Sequence, residues 1–252
     1  MVAATSNPPS SRRAGRLRVG TSGYQYDHWR GVLYPDDLPR DAWFRRYTEV
    51  FDTVEINNTF YQLPTADTVG RWRERTPPGF LYAVKFSRYG SHLKKLDDPQ
   101  DTIGPFCERL APLAPHLGPV LVQLPPNWRV NARRLDDFLA AAPADWRWAV
   151  EVRDRSWLCA DVYAVLREHH AALVIHDRLA GHPVHVTSDL VYLRYHGHDY
   201  GGGYSPQALS GQARRVRRLL ADHRDVFAFF NNDRGGHAVP NALDLRRFAR
   251  SG

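Results

Sequence analysis

Cysteine is nearly absent from this sequence: Cys107 and Cys159 are the only two, far apart and without C-x-x-C spacing. A disulfide framework or a cysteine-based zinc centre has nothing to build on. No apolar run approaches the ~18 residues that a membrane-spanning helix needs, so no membrane partner is expected. Residues 1–16 are polar, rich in Ser, Pro and Arg, and lack the apolar stretch of a secretory signal. They read as a short disordered tail, and the protein as cytoplasmic. Neither a Walker nor a Rossmann glycine pattern occurs, which removes the common phosphate cradles for nucleotide cofactors. Lysine is scarce too. Lys85, Lys94 and Lys95 are the only lysines, and every other one of the 34 basic residues is arginine. The formal net charge of +7 therefore has two readings. One is a nucleic-acid partner; the other is arginine standing where other proteins carry lysine, as GC-rich genomes favour. Clusters such as Arg214, Arg215, Arg217 and Arg218 fall in a helical pattern and read as a solvated outer face.

What is present is ordinary globular material, 43% hydrophobic and 24% charged, over 252 residues. Short β-type runs recur at Leu17–Ser22, Thr53–Asn57, Phe80–Ser87, Val120–Pro125, Trp146–Arg153, Ala171–Asp177, Leu190–His196 and Val226–Asp233. Helical spacing lies between most of them. Ala42, Phe44, Tyr47 and Val50 mark one helix; Ile103, Phe106, Cys107, Leu110 and Leu113 another; Leu135, Phe138, Leu139 and Ala142 a third, capped by Asn131. Val162, Val165 and Leu166 mark a fourth, and Leu209, Val216, Leu219 and Leu220 a fifth. Alternating strand and helix, eight times in about 235 residues, is the count of a TIM (β/α)8 barrel in a single domain, residues 17–252. An open doubly wound sheet is the alternative. Between Asp177 and Leu190 no helical face is visible, so the sixth helix is expected to be degenerate or missing.

Side chains on a strand alternate between faces, and in a barrel one face fills the interior. The apolar set, among it Val54, Ile56, Val84, Val122, Val150 and Leu193, is assigned to the helices. The remainder points inward: Gly20 and Ser22; Thr53, Glu55 and Asn57; Ala83, Lys85 and Ser87; Leu121 and Gln123; Ala149, Glu151 and Arg153; Tyr192, Arg194 and His196; Asn231 and Asp233. Buried ionisable groups need partners, because desolvating a charge costs several kcal/mol. Five of them at strand carboxyl ends, on the face where barrels place chemistry, mark a site. The alternative is an ion network satisfied by itself, with no cavity above it.

The segments at these strand ends carry a family resemblance. They are GTSGYQYDHWRG (Gly20–Gly31), VEINNTFYQLP (Val54–Pro64), VKFSRYGSH (Val84–His92) and VLVQLPPNW (Val120–Trp128). EVRDRSW (Glu151–Trp157), YLRYHG (Tyr192–Gly197) and FFNNDRGGHAVPNA (Phe229–Ala242) follow in order. Together they resemble the uncharacterised DUF72, or YecE-like, family over nearly the whole chain. The resemblance implies a TIM barrel similar to the sugar-isomerase and endonuclease IV group, with no established activity. Asn58 departs from the small residue common in the family, and His176-Asp177-Arg178 from its frequent proline.

The expected function is an enzyme acting on a small anionic ligand, phosphorylated or sugar-like, at the carboxyl face. Glu55, Lys85, Glu151 and His196 are the candidate catalytic groups, the two carboxyls serving as acid and base if their surroundings split them. Arg153 and Arg194 suit an anion. Ser22, Tyr26, Trp29, Asn57, Tyr61, Gln123, Asn231, Asn232 and Asp233 complete the expected substrate contacts. Glycine-rich loops at His196–Tyr204 and Asn232–Gly236 follow the last two strands, where barrels commonly bind phosphate. Nucleic-acid binding or endonuclease-like phosphodiester chemistry is the second reading, with Tyr24, Tyr26, Trp29, Tyr61, Tyr89, Trp128 and Tyr204 as stacking faces. No cofactor is expected. A divalent metal would draw on Glu55, Glu151, His176, Asp177, His196 and Asp233, against repulsion from nearby lysine and arginine. His92 is read as an exposed loop histidine, with a proton carrier as the alternative.

Overall fold

The structure, a computed structural model, describes residues 13–197 and 202–251. Nine short strands occupy the eight expected positions: β1 (Leu17–Thr21), β2 (Thr53–Ile56), β3 (Leu81–Lys85), β4 (Leu117–Gln123), β5 (Trp148–Glu151), β6 (Ala172–Leu173), β7 (Ile175–His176), β8 (Leu190–Tyr195) and β9 (Asp225–Phe230). All pair in parallel, in two arcs ordered β2-β3-β4-β5-β6 and β1-β9-β8-β7. Two seams join the arcs. β6 and β7 are one extended segment that changes partner at Val174, whose N–H still donates to Val150 O at 2.9 Å. At the other seam Ser22 bridges Glu55, and Gly23 N donates to Glu55 O at 2.8 Å. The strands thus make a ring whose ladder is thin at two places, and the barrel is preferred over the open sheet.

Helices α1 (Trp43–Val50), α2 (Asn58–Tyr61), α3 (Ala66–Arg75), α4 (Pro99–Leu110), α5 (Ala132–Ala141), α6 (Ala160–Glu168), α7 (Pro206–Ala221) and α8 (Ala238–Arg250) cover the outside. Asn131 caps α5, accepting from Arg134 N at 3.0 Å, as its place before the apolar period implies. α3 escapes the periodicity reading because Val69 is its only buried residue; its Thr65 cap, accepting from Thr68 N at 3.2 Å, is the usable signal. No helix forms between His176 and Leu190, as expected. Of the expected tail, residues 1–12 lie outside the described residues. Residues 13–16 are attached to the barrel: Arg16 N donates to Asp225 Oδ1 at 2.9 Å and Gly15 N to Leu220 O at 3.2 Å. No helix among the described residues is long and apolar enough to cross a membrane.

Two apolar cores result, and their separation is what closure requires. The larger packs the outward strand side chains, Val54, Val84, Val122, Val150 and Leu193 among them, against the helices. The smaller fills the barrel with Ala83, Leu121, Ala149, Ala172, Val174, Leu190, Tyr192, Phe227 and Phe229. Along each strand the inward set turns from apolar to polar toward the carboxyl end, which places the ionisable residues in one layer at the mouth. Gly20 sits at the thin seam, where a Cβ would meet Thr53 O at 2.2 Å. Gly20→Ala is expected to wedge β1 from β2 and cost about 1–3 kcal/mol in urea unfolding; an unchanged midpoint would mean the seam carries no packing constraint.

Candidate functional site

Register assembles the mouth. Gln123 lies beside Glu151 in the β4–β5 ladder, His176 beside Arg194 in β7–β8, and Ser22 beside Glu55. Its floor is a buried ion triad. Arg194 Nη2 donates to Glu55 Oε1 at 2.7 Å and Nη1 to Glu151 Oε2 at 2.6 Å, and no side chain of the three is more than 1% exposed. Glu55 also accepts from Ser22 Oγ at 2.7 Å, Tyr192 Oη at 2.6 Å and Asn57 Nδ2 at 3.3 Å. Arg153 Nε donates to Glu151 Oε1.

Burial pushes the Glu55 carboxyl up, but the Arg194 charge and the bonds from Arg194, Ser22 and Tyr192 outweigh it and hold it below the usual range. Burial of Glu151 is outweighed by Arg194, Arg153, His176 and His196, and its carboxyl lies well below that range. The expected division of labour between an acid and a base is therefore corrected. Both groups move the same way, because both lean on one guanidinium, and both are carboxylates at neutral pH.

Above this floor Lys85 and His92 are half-buried and His196 is buried. Lys85 Nζ donates to Gln123 Oε1 at 2.9 Å and stands 4.0 Å from the Phe60 ring centroid. Among the described residues no carboxylate lies within the 4.0 Å of an ion pair with it. Burial, helped by the Arg194 and Arg153 charges and opposed by Glu151 and Glu55, lowers this ammonium to about 8. His196 donates its backbone N–H to Asp177 Oδ1 at 3.0 Å, and its ring Nδ1 faces the same oxygen at 3.2 Å. Gly197 N donates to Asp177 Oδ2 at 3.1 Å and Tyr204 Oη donates there as well. Burial lowers the His196 imidazole despite Asp177. A neutral ring with its proton on Nδ1 turns the Nε2 lone pair toward Arg153 Nη2, 3.3 Å away. A single π turn, Tyr89–Leu93, carries His92 to the same rim, its ring 4.9 Å from that of Phe60. Burial, with the Lys85, Arg88 and Arg153 charges, lowers His92 to about 4.

The structure brings together Ser22, Glu55, Asn57, Lys85, Gln123, Glu151, Arg153, Arg194 and His196. Tyr26 borders them, donating to Ser22 O at 2.7 Å. Asn231 continues β9 at the mouth, its N–H donating to Tyr195 O at 2.7 Å. Four expected contacts are displaced. Trp29 is fully buried and donates Nε1 to Asp233 Oδ1 at 2.8 Å, so both are engaged in packing the rim. Asn232 is buried too, donating to Asn241 Oδ1 at 2.9 Å and tying β9 to α8. Tyr61 is 79% exposed on the outer rim. Of the glycine-rich stretch after β8, residues 198–201 lie outside the described residues. Tyr192 was not expected as a site group, although the alternation that placed it inside was a usable signal for it. Among the described residues no three His, Cys, Asp or Glu side chains form a metal-ligand set. A cavity of about 170 Å³ borders the mouth, lined by Gly23, Tyr26, Asn57 and neighbours. A groove of about 1050 Å³, lined by Trp146, Arg147, Arg224 and others, lies at the opposite end, away from these groups.

This polar mouth on a parallel barrel can be set beside known proteins. Residues 18–251 match the family described as protein of unknown function DUF72. The chain belongs to the DUF72 family. A crystal structure of a DUF72 protein from Thermotoga maritima is similar to it, with a TM-score of 0.84 and 29% identity, covering 92% of this chain and 98% of that one. The UPF0759 protein YecE of Escherichia coli K12 is 37% identical over 110 residues, which are 42% of this chain and 40% of YecE. That match thus spans less than half of the relative's length. The UPF0759 protein YunF of Bacillus subtilis is 24% identical over 266 aligned positions, 91% of this chain and 93% of YunF. None of these names states an activity, so for this DUF72 chain the chemistry rests on the mouth itself.

Two outcomes test the floor. Arg194→Met leaves the buried Glu55 carboxylate without its counter-charge and Glu151 with Arg153 alone, and is expected to cost about 3–5 kcal/mol of stability in chemical unfolding; a loss under about 1 kcal/mol would show that the triad is not what holds the mouth. The lowered Glu55 and Glu151 carboxyls stabilise the fold above their ordinary range, and that contribution is lost as pH falls toward their folded values. His92 and His176, lowered by burial first, must take up protons on unfolding below their ordinary range and act in the same direction. The melting temperature should therefore fall steadily from about pH 6.5 to pH 4; a flat profile there would contradict the arrangement.

Proposed function

We propose that this DUF72 chain is an enzyme acting on a small anionic ligand, phosphorylated or sugar-like, held over the mouth of the barrel. The observation that carries the reading is the charge of the layer. Among the described residues Glu55 and Glu151 are taken up by Arg194 and Arg153, and Asp177 by His196, Gly197 and Tyr204, while Lys85 has no carboxylate within ion-pair distance. A half-buried ammonium of this kind is completed by an anion from solution. Asn57, Gln123 and Asn231 supply neutral donors and acceptors around it, and His196, oriented by Asp177, supplies a neutral imidazole. Support for a small ligand over a nucleic acid comes from the aromatic side chains. Tyr24, Tyr26, Trp29, Trp128 and Tyr204 pack against the core, whereas a stacking platform needs open ring faces. Tyr61 and Tyr89 alone of that set are exposed.

Sulfate keeps a constant charge across the relevant range and serves as the probe. Its affinity in calorimetric titration should decline as pH rises through about 8, where the Lys85 ammonium loses its proton. Of the groups facing that ammonium, Arg194, Glu151, Glu55 and His92 hold their charge over this interval, and Arg153 stands beside them. Lys85→Met should weaken sulfate at least about tenfold at pH 7, an effect of about 1.4 kcal/mol. Equal affinity in wild type and variant would remove the basis for the reading, and tight, salt-sensitive binding of a DNA or RNA oligonucleotide would replace it.

A further inference from the structure

The Lys85 amine has a place in the mouth that anion binding alone does not use. Lys85 ends β3 with its Nζ on the inner side, over the face of Phe60 and bonded to an uncharged acceptor, Gln123 Oε1. Two guanidiniums of the same layer, Arg194 and Arg153, add like charge, and among the described residues no carboxylate is close enough to fix its proton. A lysine desolvated by apolar surface and crowded by other cations is an activated amine nucleophile. The other two lysines of the chain contrast with it: the Lys94 ammonium is held by Asp98 at 2.9 Å, and Lys95 is exposed.

We propose that Lys85 forms an imine with the carbonyl carbon of an aldehyde or ketone that also bears a phosphate or carboxylate group. The inference rests on the reading of the mouth as an anion site and names its reaction class. The neutral amine attacks the carbonyl carbon, a C–N bond forms, and the carbonyl oxygen becomes the hydroxyl of a carbinolamine. That hydroxyl leaves as water while the nitrogen lone pair closes the C=N bond, so one ammonium and one carbonyl give one protonated imine and one water, with no change in oxidation state. His92, packed against the same Phe60 ring, is the imidazole that takes the amine proton and returns it to the departing hydroxyl. Gln123 Oε1 accepts from the iminium N–H. The product keeps the positive charge of Lys85, so the layer still attracts the anionic end of the ligand after the bond has formed.

Having only three lysines allows the test to be run on the wild-type chain. The protein is treated at pH 7 with cyanoborohydride and either glycolaldehyde or glycolaldehyde phosphate, and reductive alkylation is followed at each lysine by peptide mass spectrometry. An amine near 8 is about one-tenth neutral at this pH and an ordinary lysine less than about a thousandth, so Lys85 should react at least about tenfold faster than Lys94 and Lys95 with both aldehydes. The phosphate ester should outpace glycolaldehyde at Lys85 and nowhere else. If Lys85 is no faster than the other two with either aldehyde, the imine proposal is overturned, and the sulfate titration still decides the anion site on its own. If Lys85 leads but the two aldehydes react equally, the amine is a nucleophile but the anion site falls, and the proposed substrate class falls with it.

Discussion

Arg194 is the interaction on which the mouth depends. A guanidinium with its side chain 1% exposed is tolerable only because Glu55 and Glu151 receive its two nitrogens at 2.7 and 2.6 Å. Of the strands that carry these groups, β2 and β5 lie on one arc of the ring and β8 on the other, so the triad is also a tie across the barrel. It cannot form unless the ring closes to its observed width. Ser22, Tyr192 and Arg153 complete the coordination of the two carboxylates, and each comes from the inward face of a strand or its extension.

The triad decides what the layer above it can do. Because both carboxylates are occupied, neither is available as a proton donor at neutral pH, and the functional burden passes to nitrogen. Lys85 is left with an amide and a ring as its neighbours, and His196 is kept neutral by burial and oriented by Asp177. Nitrogen groups of this sort bind anions, move protons and add to carbonyls. The result is a floor of fixed charge beneath a layer of adjustable charge, which is a physical reason for a barrel to bury an ion network beside a mouth it keeps polar.

Much of this was legible in the residue order. Strand positions follow from short apolar runs, and strict alternation along Glu55, Lys85, Gln123, Glu151 and Arg194 was enough to place them inside and at one end. Asn131 announced its helix by capping chemistry. The misreadings share a cause. Trp29, Asn232 and Asp233 stand in the same strand-end segments as the site, and pattern does not distinguish a polar group aimed at the mouth from one aimed at the rim beside it. α3 carries too few apolar residues for its period to show, and His92 looked like an ordinary loop residue because nothing in its neighbourhood announces a π turn that carries it to the rim.

By itself the sequence determined the class of fold, the inward and outward sets of each strand, and the end of the barrel at which ionisable groups gather, because these follow from periods of two and 3.6 residues that neighbouring positions express. Only the tertiary structure decided which charges meet, that Glu55 and Glu151 share one arginine, and that Lys85 meets an amide and a ring. Those outcomes depend on register between strands far apart in the chain and on distances of a few ångströms in a low-dielectric interior, where a small displacement exchanges one partner for another.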